Sequence, residues 1–98
     1  MTIEIKRNAE QTVIELAGRL DTTTAPALDK TISEDLCDTK HLTLDLKKLE
    51  YISSAGLRVI LAAQKKLQKI GSMKLIHVSE DVMEVFEMTG FADILTIE

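Results

Sequence analysis

Hydrophobic and polar residues alternate along the first twenty positions of the chain. Ile3 and Ile5 alternate with charged residues, and after residues 8–10 a second apolar run surrounds Gly18. An alternation of period two is typical of a strand with one buried face. The pattern predicts two short strands joined by a turn. The apolar residues of the second run are Val13, Ile14, Leu16 and Leu20.

The next segment changes to a helical period. Leu28, Ile32 and Leu36 recur every four residues, which places them on one stripe of a helix. Pro26 suits a first helical turn, and the hydroxyls of residues 22–24 are available as N-caps. We expect a first helix that runs to about Leu36.

The middle of the chain predicts a strand followed by the longest helix. In the strand 41–46, three leucines share one face, while Thr43 and Asp45 point to the other. The helix is expected to continue to Ile70, with lysines crowding its last turns and Gly71 stopping it. Its apolar positions are Leu57, Ile60, Leu61, Leu67 and Ile70.

The last third repeats the order of strand and helix. Residues 73–78 read as a strand, Ser79 as the cap of a third helix that stops near Gly90, and residues 94–97 as a short closing strand. The inner stripe of that helix is Val82, Val85 and Phe86. Strands that alternate with helices imply parallel neighbours and right-handed crossovers. We therefore expect one α/β domain over residues 1–98, with a mixed, mostly parallel sheet of four to five strands, an N-terminal hairpin and three main helices.

Composition narrows the partners. The chain has 98 residues, a formal net charge of −4, two Phe, one Tyr and no Trp. Nucleic-acid binding depends on basic patches, often with aromatic stacking platforms, so we expect no nucleic-acid partner. Cys37 is the only cysteine, which excludes an internal disulfide and favours a reducing compartment. Neither an apolar signal-peptide region nor a membrane-length apolar run is present, so we expect a cytoplasmic protein without a membrane partner.

Motifs for catalysis are missing from the sequence. It contains no G-x-S-x-G elbow, no phosphate-binding P-loop and no G-x-G-x-x-G. His41 and His77 lie far apart at a strand start and a strand end, which is not a zinc pattern. We expect no enzyme, no metal and no cofactor, and we interpret both histidines as exposed or partly buried strand-end residues.

The segment Tyr51–Arg58 is the strongest candidate for function. Ser53 and Ser54 stand where a strand leads into a helix, and Ser54 is expected to cap the helix by accepting from the N–H of Gly56 or Leu57. The positive end of the helix also stabilises an anion attached to such a serine. A plain cap and a modified or contact serine therefore both remain open on the residues alone.

Several short segments together give the chain a resemblance to a family. The chain resembles bacterial STAS-domain proteins of the anti-sigma-factor antagonist type. The matching segments, in order, are 18–21, 22–28, 44–46, 51–58 and 88–91.

The resemblance implies a phosphorylation switch. In that family, a partner that is both a serine kinase and an anti-sigma factor phosphorylates a serine at the start of the second helix. Alignment on Gly56 puts the acceptor at Ser54, with Ser53 in reserve. An acidic residue close to that loop in the family matches Asp21, although the residue alone also fits a turn or cap. The unmodified protein would bind the partner and release the sigma factor, and a serine phosphatase is a further implied partner.

This chain departs from the common family motif at two positions. Ser53 stands where an Asp is common, and Ala55 stands where a second Ser or Thr is common. We expect a monomer that binds its partner through one surface. The residues expected on that surface are Asp21, Thr22, Ser53, Ser54, Gly56 and Arg58.

Two functions of other classes remain as alternatives. A STAS-like domain can be a passive module of a transport or stress-signalling complex, in which Ser54 is only a cap. A nucleotide-binding domain is the other, because helix N-termini attract phosphates without a special motif.

Overall fold

A four-stranded sheet forms the centre of the protein, and the computed structural model describes residues 1–8, 11–35 and 40–98 of the chain. The strands are β1 (Thr2–Asn8), β2 (Gln11–Leu20), β3 (His41–Ile52) and β4 (Ser72–Ile76). The helices are α1 (Ala25–Lys30), α2 (Ser54–Ile70) and α3 (Glu80–Thr89). Thr31–Asp35 continues α1 as a π-helical turn, and Phe91–Asp93 forms a 3₁₀ turn.

The strands lie in sequence order across the sheet. β1 pairs with β2 antiparallel, whereas β2 with β3 and β3 with β4 are parallel. Antiparallel neighbours need only a tight turn, while parallel neighbours need a crossover, which α1 and α2 supply. The expected α/β architecture, with an N-terminal hairpin and three main helices, is therefore confirmed.

Two irregularities in β3 align the ends of the central strands. The ten residues of β2 pair with twelve residues of β3, because β3 carries an extra residue after Asp45 and another after Leu49. The register then ends with Leu20 opposite Ile52. The alternating pattern predicted that this strand ends at Leu46, which is wrong. A bulge breaks the strict alternation that the prediction used, since an inserted residue shifts the buried face.

One continuous apolar core separates the sheet from the helices. Alternate residues of the strands face α1, α2 and α3, and Phe86 from α3 is fully buried there. Burial of aliphatic side chains contributes roughly 25 cal/mol per Å² of apolar surface, so this layer is the main source of stability. The fully buried strand residues are Ile14, Leu16, Leu20, Leu42, Leu44, Leu46, Met73 and Leu75.

The first helix differs from its prediction in its hydrogen bonding. Leu28 and Ile32 are both buried, so the apolar stripe is correct, but the α-helix ends at Lys30 and a π-helical turn follows. The N-cap is Thr24, yet its hydroxyl does not cap the helix. That hydroxyl instead donates to the carbonyl of Arg19 at 2.8 Å. Leu36 and Cys37 lie outside the described residues. The predicted end of the helix and the predicted reduced state of the cysteine therefore stay predictions.

One further prediction is wrong in part. The expected closing strand is reduced to one bridge between Leu75 and Ile97, because the N–H of Leu95 bonds to the carbonyl of Phe91 in the preceding turn.

The predicted helix ends are otherwise correct. α2 stops before Gly71, and α3 stops at Gly90, whose φ of 81° is the left-handed conformation that favours glycine. None of the described helices combines the length and apolarity that a membrane crossing requires.

Candidate functional site

Two loops meet where β2 and β3 end. The N–H of Ser53 donates to the carbonyl of Leu20 at 2.9 Å, so Asp21 and Ser53 leave the sheet side by side. The carboxyl edge of parallel strands is where loops of an α/β sheet converge on ligands and partners. We use the name serine loop for residues 51–58, and it lies against the Asp21 turn.

The two serines of this loop have different surroundings. Ser53 is the N-cap of α2, because its Oγ accepts from the N–H of Gly56 at 3.3 Å and its carbonyl accepts from the N–H of Leu57 at 2.9 Å. Ser54 occupies the first helical position and is exposed. Within the described part of the chain, its hydroxyl has no hydrogen-bond partner.

This arrangement corrects the expectation that Ser54 is the cap. The strand continues as far as Ile52, so the half-helical position falls one residue earlier than the sequence pattern suggested. The cap and the candidate acceptor are therefore separate residues. The hydroxyl of Ser54 faces solvent at the positive end of a seventeen-residue helix.

Gly56 lets α2 approach β2 closely. A Cβ added at Gly56 would lie 2.7 Å from Cγ of Leu20 and 3.0 Å from its carbonyl oxygen. Leu20 is fully buried, so its side chain has little room to move. The first turn of α2 is thus pressed against the strand that carries Asp21.

A hydrogen-bond network fixes the carboxylate of Asp21. Its Oδ1 accepts from the hydroxyl of Thr23 at 2.7 Å and from the N–H groups of Thr23 and Thr24 at 3.0 and 3.2 Å. The pKa of Asp21 lies below its ordinary value, chiefly because the Thr23 hydroxyl donates to the carboxylate. Desolvation raises the pKa by less, and the N–H groups of Thr23 and Thr24 lower it further. Asp21 is therefore a fixed negative charge at neutral pH.

The remaining predicted contact residues are exposed around this centre. Thr22 lies in the turn after Asp21, and Arg58 lies on α2 about one turn after Ser54. The described residues offer Arg58 no ion pair. Its guanidinium is thus able to reach a charge added at the start of α2 or one on a partner.

The site has a third component, the pair Arg19 and Tyr51, which is not among the residues predicted from the sequence. These residues are register partners on β2 and β3, and Cζ of Arg19 lies 4.2 Å from the centre of the Tyr51 ring. Nε of Arg19 also lies 3.9 Å from Oδ2 of Asp21. A signal was available, since each residue stands two positions before Asp21 or Ser53 on neighbouring parallel strands.

Neither histidine belongs to the serine loop. Nδ1 of His77 lies 3.0 Å from Oδ1 of Asp45, and Nδ1 of His41 lies 2.9 Å from Oγ of Ser72. Both histidines are exposed at strand ends, as expected. Desolvation raises the pKa of Asp45, but the Lys47 N–H and His77 outweigh it and lower the pKa overall.

Comparison with known proteins identifies the fold and the family. The family model of the STAS domain matches residues 2–98. The anti-sigma-B factor antagonist of Bacillus subtilis is 31% identical over 98 residues, which cover 99% of this chain and 90% of that protein. BtrV of Bordetella bronchiseptica, named as a candidate anti-sigma factor antagonist, is 37% identical over 91 residues, which cover 92% of this chain and 66% of that protein.

A solved structure has the same fold over nearly the whole chain. The crystal structure of an anti-sigma factor antagonist from Mycobacterium paratuberculosis has a TM-score of 0.88 at 25% identity and covers 98% of this chain and 83% of that one. With the family model and the curated relatives, this likeness leads to one conclusion. The chain belongs to the STAS domain family.

Proposed function

We propose that this protein is an anti-sigma-factor antagonist that is switched by phosphorylation of Ser54. The unmodified protein binds an anti-sigma factor, which thereby releases its sigma factor. That partner is also the serine kinase, so this domain is a substrate and supplies no catalytic group of its own. The relatives named as anti-sigma-B factor antagonists support the first part of this proposal.

The observation that carries the proposal is the separation of the two serines. Because Ser53 caps α2, the hydroxyl of Ser54 is free to reach a γ-phosphate without uncapping the helix. The cap bond of Ser53, a type of bond that contributes about 1 kcal/mol, therefore stays in place whether or not Ser54 is modified.

Phosphorylation would act through charge at the partner interface. A phosphate adds about −1.5 to −2 charge at neutral pH. Inside the domain, the N-terminus of α2 stabilises that charge, so the fold changes little. Against a partner, the same anion lies next to the fixed charge of Asp21 and is desolvated without a full set of donors.

The expected loss of affinity is large enough to act as a switch. An uncompensated charge at a close interface costs about 2 to 5 kcal/mol, which lowers affinity by roughly thirtyfold or more. Arg58, if it turns back to the phosphate, offsets part of the cost inside the domain. Thr22 is exposed and would contact the partner, whereas Gly56, which was expected on this surface, is buried against Leu20 and only positions the first turn of α2.

The test uses an anti-sigma-factor kinase from the genome that encodes this chain. The purified kinase with Mg-ATP is incubated with the wild type, Ser53→Ala and Ser54→Ala, and mass spectrometry locates the phosphate. We expect transfer to the wild type and Ser53→Ala but not to Ser54→Ala. Calorimetry with the same kinase should give Ser54→Ala the affinity of the unmodified protein and the phosphorylated form at least about thirtyfold less.

Two results would contradict the proposal. Phosphate on Ser53 alone would move the acceptor to the reserve residue. Equal kinase affinity of the phosphorylated and unmodified proteins would remove the switch. Thermal unfolding of every variant provides the control that each remains folded.

A further inference from the structure

The exposed side chains of Arg19 and Tyr51 form a preorganised pair where β2 lies against the start of the serine loop. Arg19 is 61% exposed in its side chain and Tyr51 is 43% exposed, yet the guanidinium stacks on the ring at 4.2 Å. Its Nε side faces Asp21 at 3.9 Å. Among the described residues, the terminal nitrogens of Arg19 have no hydrogen-bond partner.

This geometry fixes an otherwise flexible side chain. An exposed arginine normally loses rotamer entropy when it binds a partner. Stacking on Tyr51 and attraction to Asp21 hold the guanidinium plane before any partner arrives. The free edge of the guanidinium then presents two parallel N–H donors to solvent.

We propose that the Arg19–Tyr51 pair is a specificity contact that receives an acidic side chain of the anti-sigma factor. This inference rests on the proposed function and assigns a partner chemistry to a pair formed by the first residue of the serine loop and a residue of β2. A guanidinium fork matches a carboxylate in a bidentate geometry, which neither a neutral group nor a lysine on the partner satisfies. Arginine and tyrosine are also the residue types that dominate binding energy at interfaces.

The position of the pair argues for a partner carboxylate over a purely internal role. Arg19 and Tyr51 stand opposite each other on β2 and β3, just before Asp21 and Ser53. The pair therefore lies at the same edge of the sheet as Ser54, so a partner that covers Ser54 also reaches the pair. Asp21 neutralises only part of the Arg19 charge at 3.9 Å, which leaves a cation for the partner to complement.

The test compares Arg19 variants in binding to the kinase that has been shown to bind the wild type and to lose affinity for the phosphorylated form. Isothermal calorimetry measures Arg19→Ala, Arg19→Lys, Arg19→Glu and Tyr51→Ala, all unphosphorylated. Lys66→Glu is the matched charge reversal, because Lys66 is exposed on α2 about three turns beyond Ser54. Circular dichroism melts verify the fold of each variant.

We expect a graded loss of affinity. Arg19→Ala and Tyr51→Ala should each weaken binding about tenfold, Arg19→Lys less, and Arg19→Glu about a hundredfold, while Lys66→Glu stays within about twofold. A scan that changes surface Asp and Glu residues of the kinase to Arg should find one position that restores binding of Arg19→Glu. Charge-swap rescue cannot arise from a general loss of structure.

Two outcomes would overturn the inference without touching the proposed function. Arg19→Glu could bind within twofold of the wild type. Alternatively, Arg19→Ala could leave the unmodified affinity unchanged and alter only the phosphorylated form, which would make Arg19 an internal clamp for the phosphate. In both cases the Ser54 switch would still be measured in the wild type, so the two failures are distinguishable.

Discussion

The helices α2 and α3 begin in the same way but differ in charge. Each follows a parallel strand at the same edge of the sheet, and each is capped by a serine whose Oγ accepts from the N–H three residues later at 3.3 Å. After Ser79 come Glu80 and Asp81, whereas after Ser53 come Ser54 and Ala55. The two helices therefore have equivalent caps, but only α3 has acidic residues that compensate the positive charge at its N-terminus.

The difference suggests how a structural helix start is distinguished from one that is available for modification. Two acids complete the electrostatics of α3, because anions near a helix N-terminus each stabilise it by about 0.3 to 1 kcal/mol. The first turn of α2 has no acid and has a free hydroxyl in its place. A phosphate on Ser54 would supply the charge that Glu80 and Asp81 supply permanently to α3. The presence of a serine cap alone therefore does not distinguish a structural helix start from one that is available for modification.

The largest effect on the free energy of unfolding is expected at the third position of the two helices, where the side chains differ in size. Gly56 and Val82 hold the same position, third in their helices, and Val82 is a buried core residue. Gly56→Ala should destabilise the protein by about 1 to 3 kcal/mol, because its Cβ meets Leu20 at 2.7 Å. Urea unfolding measures the change.

Ser54→Ala is the control for this prediction, since it alters the same turn on the exposed side. It should change the free energy of unfolding by less than about 0.5 kcal/mol. A neutral or stabilising Gly56→Ala would mean that the close approach to β2 is not required.

A medium effect on the free energy of unfolding is expected when either serine cap is removed. Ser53→Ala and Ser79→Ala should each cost about 1 kcal/mol of unfolding free energy, because each removes the side-chain bond that the described residues provide to its first turn. Urea midpoints followed by circular dichroism provide the measurement. If Ser54→Ala costs as much as Ser53→Ala, then Ser54 is the cap and the separation of roles fails.

The smallest effect isolates the charge at the first helical position. Ser54→Asp adds an acid to α2, and Glu80→Gln removes one from α3, so we expect a gain and a loss of about 0.3 to 1 kcal/mol respectively. The gain falls at the lower end because Asp21 repels a new anion. Ser54→Asn is the neutral control of similar size.

Salt dependence separates these charge effects from packing. Both changes should shrink between about 20 mM and 1 M salt, since the Debye length falls to about 3 Å. A Ser54→Asp gain that persists in 1 M salt would have a cause other than the helix dipole.

The residues that sequence analysis read correctly follow from short-range physics. The cap at Ser79 and the stop at Gly90 depend on contacts within four positions along the chain, and the pattern of residues 79–90 contains them. The apolar stripe with Val82 and Phe86 is correct for the same reason. Local bonding and periodicity are properties of the sequence itself.

The wrong or missing predictions concern features that depend on the pairing of strands that lie far apart in the sequence. The pattern at residues 53–54 allows either serine to cap, and β3 selects Ser53 because two bulges extend it to Ile52. The Arg19–Tyr51 contact also depends on register between β2 and β3. Gln64 has no part in the predictions, but it is buried in α2, and its Oε1 has no hydrogen-bond partner among the residues that the structure describes.

By itself, the sequence determined the class of fold, the positions of the helices and the segment that carries the candidate acceptor. These depend on hydrophobic period, capping residues and composition, which are encoded over a few neighbouring positions. The tertiary structure decided which serine is free, how closely Gly56 meets Leu20 and that Asp21 emerges beside Ser53. Those features require β2 and β3 to end in register, and register between strands that are far apart in the chain is fixed only when the common core is packed.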